Sequence, residues 1–130
     1  MNIPSDLKYT KTDEWVKVAG AIATIGISDY AQEQLSDIVY AEISVEIGEH
    51  LPKNTTCATL ESVKAAADVS LPVSGSITEI NEKLPQSPEV VNSDPFGAGW
   101  MLKISLDDLQ ELNDLMDAAA YQAYCEERSH

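Results

Sequence analysis

Along the stretch from Thr56 to Ile80 the apolar residues change parity, a feature that few folds can absorb. Before Glu61 they take even positions, Ala58 and Leu60; after it they take odd ones, Val63, Ala65, Ala67, Val69, Leu71 and Val73. Residues two apart on a strand share a face, so a single strand cannot hold both sets on one side. The chain must bulge or turn between them. Small and polar residues surround the switch, which predicts a hairpin with its tip within 62–66. In the odd register Lys64 points away from the core. It is also the only basic residue between Lys53 and Lys83.

The remainder reads as mostly strand. Residues 15–18 and 21–27 are two short β-branched runs, and Gly20 between them signals a hairpin. Ser28 and Asp29 can cap a short helix running to Leu35. Residues 38–45 read as another strand, followed by turns at Gly48 and Pro52-Lys53-Asn54, where Asn54 tolerates left-handed geometry. Pro85, Pro88, Pro95 and Gly97 make 81–98 a long ordered loop, and 100–104 is one more strand. Leu106, Leu109 and Leu112, behind a Ser105 cap, predict a short amphipathic helix. Asp117 can cap a second helix reaching Arg128, with Tyr121, Tyr124 and Cys125 on one side. Both helices are expected to close the core.

A chain of 130 residues supports one compact domain with a real core. With 8 basic and 22 acidic residues the formal charge is -14, a surface that repels phosphate backbones and excludes nucleic acid as a partner. Cys57 and Cys125 show no CxxC spacing; Cys57 in an apolar run reads as a buried thiol, and two scattered cysteines fit a reducing compartment. With His50 and the terminal His130 as the only histidines, no metal cluster can be assembled by spacing. No apolar run is long enough to span a bilayer. Residues 1–6 resemble neither a secretory signal nor a transit peptide, so a bacterial cytoplasm is expected, or a mitochondrial matrix after removal of a presequence.

Catalytic patterns are missing. Gly97-Ala98-Gly99 lacks the third glycine of a dinucleotide fingerprint. Asp107-Asp108 and Glu126-Glu127 read as solvated helix faces, no serine is spaced with a histidine as in a triad, and Trp15 and Trp100 read as core aromatics. A lone lysine at a hairpin tip is commonly just solvated. Lys64 nevertheless suits acylation, because a tight exposed turn admits a ligase and Ala65, Ala66 and Ala67 leave the amine clear. Acylation would exchange its charge for a long flexible arm.

Glu61-Ser62-Val63-Lys64-Ala65 resembles the lipoylation motif of glycine cleavage H proteins, with Lys64 at the acceptor position. Gly48 and Gly75 match the glycines that family places before and after the lysine, and Pro72-Val73-Ser74-Gly75 resembles the segment that follows. The likeness extends to Leu7-Lys8-Tyr9-Thr10, Glu14-Trp15-Val16, residues 24–32 and residues 92–100, nearly the whole chain. Biotin carriers typically flank the acceptor with methionines, and lipoyl domains of 2-oxoacid dehydrogenases usually read Asp-Lys-Ala. Three positions depart from the family: Asp13 stands where histidine is frequent, Asn54 where a turn glycine is common, and Ser36 where the helix often ends in glycine.

The resemblance implies a mainly β fold, a flattened β-sandwich of barrel-sandwich-hybrid type with short helices, two of them C-terminal. It implies a single lipoyl-carrier domain over 1–130, with the core at about 15–105 and the helices at about 106–128. It implies a carrier rather than an enzyme, bearing lipoate covalently on Lys64. Such a carrier takes an aminomethyl group from the pyridoxal-phosphate glycine decarboxylase to the tetrahydrofolate-dependent aminomethyltransferase, and electrons to the flavoenzyme dihydrolipoamide dehydrogenase. A lipoate ligase or transferase would load it. H proteins are also implied to shelter the loaded arm in a surface cleft, since an exposed adduct would lose its group to water. Glu14 and Asp68 are the candidates to hold its ammonium end, with Ile27 as apolar lining; ordinary solvation is the alternative for both acids. The rival readings are an H-like lipoate relay protein and a non-lipoylated interaction module.

Overall fold

The fold is seen in a computed structural model that describes residues 1–128; His130, named above, lies outside the described residues. In chain order the elements are β1 (Lys8–Tyr9), β2 (Glu14–Ala19), β3 (Ile22–Ile27), α1 (Asp29–Leu35), β4 (Ile38–Ile43), β5 (His50–Leu51), β6 (Thr56–Ser62), β7 (Ala66–Ser70), β8 (Gly75–Ile80), α2 (Val90–Ser93) and β9 (Leu102–Leu106), then a 3-10 helix (Leu109–Asp114) and α3 (Ala118–Arg128). Two antiparallel sheets result: six strands in the order β1-β2-β3-β9-β8-β5, and three in the order β4-β6-β7. They stack as a flattened sandwich rather than closing into a barrel.

The parity change has a simple cause. Leu60 pairs with Ala67 and Ala58 with Val69, so inward residues that are even on β6 face odd ones on β7. The turn lies at 62–65, closed by Ser62 N–H donating to Ala65 O at 2.7 Å. Two members of the odd series leave the pattern: Val63 is 69% exposed, and Ala65 is exposed too. Both belong to the turn itself, so inward alternation begins at Ala67.

Between the sheets, Val16, Ala23, Ile25, Ile77 and Ile104 pack against Ile38, Ala41, Ala58, Leu60 and Val69. Each buried Val, Leu or Ile side chain contributes about 1.5–3 kcal/mol of burial free energy, and each alanine methyl roughly 0.8 kcal/mol. A second cluster forms where Tyr9 and Trp15 meet Tyr30 of α1 and Tyr121 and Cys125 of α3. There the Tyr9 and Tyr121 rings stack at 4.5 Å, and the Trp15 indole N–H donates to Pro95 O at 3.0 Å. The C-terminal helix therefore closes a core, as expected. Cys57 is fully buried.

Several sequence expectations shift. Trp100 is half-buried at the margin of the second cluster, with the Lys103 ammonium over its ring, and is not a core residue. The last strand is 102–106, because Leu102 and Ser105 find partners on both β3 and β8. Ser105 is thus inside a strand and caps nothing; Asp108 caps the helix that follows, accepting from Gln110 N–H at 2.9 Å, and that helix is 3-10. The loop at 81–98 contains the single turn α2. Asn92 of that turn explains the order there: Oδ1 accepts from Ile38 N–H at 2.8 Å, while Nδ2 donates to Ser36 O and Gln32 Oε1, both at 2.9 Å. One amide thereby joins the end of α1 to the start of β4.

Candidate functional site

The β6–β7 tip is rigid for local reasons. The Ser62 hydroxyl oxygen accepts from Lys64 N–H at 3.1 Å and Ala65 N–H at 2.9 Å, and donates to Ala65 O at 3.1 Å. Val63 N–H donates to Asp37 O at 3.0 Å, which anchors the tip beside the start of β4. Glu61 pairs with Ala66 at the last rung before the turn and is exposed. Lys64 stands out from this bend. Its Nζ donates to Gln34 O at 3.2 Å, one of the carbonyls that the end of α1 leaves without a helical partner.

Gln34 is also on the rim of a cleft of about 200 Å³. The β1–β2 loop and the start of β2 contribute Thr12, Asp13 and Glu14; the end of β3 contributes Ile27; α1 contributes Ala31, Gln34 and Leu35; and β6 and β7 contribute Leu60, Ala67, Asp68 and Val69. Glu14, Ile27 and Asp68, from three separate strands, therefore border one space whose rim carries the Lys64 contact. A second cleft, of about 290 Å³, lies across Thr12 and Glu14 and is bordered by Tyr9, Lys53 and Leu71 among others, with neither Ile27 nor Asp68.

The two acids differ in character. Glu14 is 2% exposed. Its Oε1 accepts from the Thr10 and Thr12 hydroxyls, each at 2.6 Å, and Oε2 has a long 3.4 Å contact from Ser70 N–H. Burial pushes its carboxyl pKa up; these donors pull it back, and the neighbouring Asp13 charge adds to the rise. The Cys57 thiol on β6 is in turn pushed up to about 12, by burial first and by Glu14 second. Asp68 is exposed and accepts from Thr59 Oγ1 at 3.3 Å. The cleft thus has an acid held firmly on its wall and another, solvated, at its mouth, with aliphatic side chains between. That combination suits a ligand with an apolar body and a cationic end. Among the described residues no group of three or more His, Cys, Asp or Glu is placed to hold a metal ion.

Comparison with known proteins identifies the family. The family model described as "Glycine cleavage H-protein" matches residues 7–128. The chain belongs to the glycine cleavage H-protein family. Among its relatives, the glycine cleavage system H protein of Thermotoga maritima is 52% identical over 118 residues, covering 91% of this chain and 94% of the relative. That of Marinobacter nauticus is 54% identical over 120 residues, 92% of each chain. A crystal structure of a glycine cleavage system H protein from Mycobacterium marinum superposes with a TM-score of 0.83 at 31% identity, covering 98% of this chain and all of the other.

The three departures from the family pattern share one physical trait. Asp13 (φ 74°), Ser36 (φ 66°) and Asn54 (φ 74°) are the non-glycine residues with positive φ among those described. At Ser36 and Asn54 a side chain therefore stands where glycine would be unstrained, at about 1 kcal/mol for Asn54 and about 1–3 kcal/mol for Ser36, whose ψ of −156° is otherwise nearly confined to glycine. Asp13 is different, because its carboxylate is gripped by Arg128 and Tyr121. Sequence reading missed this grip, and it also missed the Thr10 and Thr12 clamp on Glu14 and the resting place of Lys64 on Gln34. The clamp had a visible trace: Thr10, Thr12 and Glu14 alternate into the start of a strand, where period-two spacing puts them on one side.

Glu14 should limit stability at neutral pH. A carboxyl whose folded pKa lies above its unfolded value contributes fully below the ordinary carboxylate range, and that contribution is lost as pH rises through the folded pKa. Glu14→Gln keeps an oxygen for both threonines, removes the buried charge and disturbs only the long Ser70 contact. The variant should melt a few degrees above the native chain at about pH 8, with the gap closing below about pH 4. Thermal melts across that range check it; a gap that is flat with pH contradicts the assignment of a costly buried charge.

Proposed function

We propose that the chain is the lipoyl-bearing carrier of the glycine cleavage system, with lipoate joined through an amide to Lys64 Nζ. The observation that carries this reading is the placement of Lys64 on an exposed, pinned bend, with its Nζ 3.2 Å from Gln34 O on the rim of the acid-lined cleft. The donor set suits the group: a primary amine open to a ligase or transferase, and an apolar recess within reach to receive what the amine carries. A lipoyl group joined there would supply a redox-active dithiolane to which an aminomethyl group can be attached, and Lys64 would hold it within reach of glycine decarboxylase, aminomethyltransferase and dihydrolipoamide dehydrogenase in turn.

The chain's own residues do no bond chemistry in this reading. The Ser62-pinned turn presents the Lys64 amide at a fixed point, so one tethered group serves several active sites at a high effective concentration. Glu14 and Asp68 hold a cationic amine by charge-assisted hydrogen bonds. Ile27, Leu35 and Leu60 exclude water around it. A cation beside Glu14 would offset the burial that raises its carboxyl. The bacterial sources of the relatives support a bacterial cytoplasm as the setting.

The reading is tested by loading the chain with lipoate ligase and measuring glycine-dependent exchange of labelled carbon dioxide with glycine decarboxylase. Exchange is expected, and a Glu14→Gln/Asp68→Asn variant should release the loaded one-carbon unit about tenfold faster, having lost two charge-assisted contacts. A chain that is lipoylated but supports no exchange would be a lipoate relay protein. One that the ligase leaves untouched would be an interaction module.

A further inference from the structure

No residue of α3 borders the Lys64 cleft, yet four hydrogen bonds from this helix end on the loop that does. Tyr124 Oη donates to Lys11 O at 3.0 Å, and Tyr121 Oη donates to Asp13 Oδ1 at 2.8 Å. Arg128 closes a fork on Asp13, Nη2 to Oδ1 at 2.6 Å and Nη1 to Oδ2 at 3.1 Å. Its guanidinium is held between the rings of Tyr124 and Tyr30, at 4.0 and 4.4 Å from their centroids, so the fork keeps its orientation.

Asp13 is where both walls of the cleft meet. On one side it ends the 10–13 loop at φ 74°, a left-handed conformation that costs most L-residues about 1 kcal/mol and that the grip on its carboxylate helps to hold. That loop carries the Thr10 and Thr12 hydroxyls, which clamp Glu14. On the other side, Asp13 O accepts from Ser28 N–H at 2.9 Å, and the Ser28 hydroxyl shares a 2.6 Å hydrogen bond with Tyr121 Oη. Ser28 is the N-cap of α1, the helix that brings Ala31, Gln34 and Leu35 to the opposite wall.

We infer that Arg128 is a positioning residue for this cleft: by gripping Asp13 it holds the 10–13 loop and the α1 cap together, which sets where the Glu14 carboxylate stands and how much negative charge faces the bound group. The helix α3 is then a latch on the cleft as well as a lid on the core. The purpose of the latch rests on the lipoyl-carrier reading, but its geometry needs no acylated Lys64, so the unmodified chain suffices for the test.

The charged and titratable groups around Glu14 are Asp13 beside it in the chain, the Cys57 thiol of β6, Asp68 of β7 on the Lys64 cleft, and Tyr9, Lys11, Lys53 and Asp114 on the adjoining cleft. Arg128→Gln leaves Asp13 uncompensated. The Glu14 carboxyl, followed by carbon NMR, should then titrate higher by about half a unit or more. Amide exchange at Lys11–Glu14 and Ala31 should quicken about tenfold with no change in β8 or β9. Arg128→Lys, which restores a charge opposite Asp13, should recover most of the Glu14 shift and less of the loop protection, since a point charge cannot fork. An unmoved Glu14 titration in Arg128→Gln overturns the inference, as does an exchange increase spread evenly over every strand, the mark of a merely structural role.

Discussion

Lys64→Arg should fold and melt like the native chain, within about 2 °C, and carry no lipoyl group at all. The expectation of an intact fold rests on where the turn gets its order: from the Ser62 hydroxyl and the Ser62–Ala65 backbone bond, with no part for the lysine side chain. Lys64 is exposed, and among the described residues its amine donates to Gln34 O, a carbonyl that a guanidinium can also reach. Arginine keeps the charge but cannot form the lipoyl amide under a ligase that acts on a primary amine. Carbon dioxide exchange with glycine decarboxylase should fall to background in the variant while its thermal melt overlays the native one. Native-level exchange would remove Lys64 from the account.

Gly75→Ala has the largest effect on folding. A Cβ at Gly75 would stand 2.0 Å from Ser105 O and 2.8 Å from Ile104 Cγ1. The first of these is backbone, and it cannot yield, because Gly75 is paired with Leu106 on one side and Leu51 on the other. We expect a loss of about 4 kcal/mol or more, a large share of the whole stability of a domain. Gly20→Ala is the comparison: Gly20 has φ 65° with nothing within 4 Å of the added carbon, so only backbone strain of about 1 kcal/mol is due. Urea midpoints of the two variants separate a packing requirement from a conformational one. Gly48, the other flanking glycine of the motif, belongs to the second kind, with φ 95° and open space around it. The two glycines that bracket the lysine in sequence thus serve different physical ends.

What could be read from the chain alone was what depends on local alternation. The parity switch at Glu61 located the turn, because strand pairing is a near-neighbour property there. Ser28 as a cap and Asn54 at positive φ followed from side-chain chemistry within a few residues. Contacts spanning the whole chain were not legible. Asp13 and Arg128 are 115 positions apart, and nothing in either neighbourhood points to the other. Ser105 looked like a helix cap because serine serves both caps and strands, and only pairing with β3 and β8 assigns it to a strand. The odd-numbered series overreached at Val63 and Ala65 for a related reason: apolar residues in a turn obey no alternation. Glu14, Ile27 and Asp68 were selected by resemblance; their meeting around one cleft is a product of the sandwich, which periodicity cannot describe.

The central claim is that one amine on a pinned hairpin is the point of attachment. Its most direct test is the mass of the peptide containing Lys64, taken from protein made in its native host. The account predicts a lipoyl increment on Lys64 and on no other lysine. A wholly unmodified Lys64 peptide, or the increment on a different lysine, would contradict it.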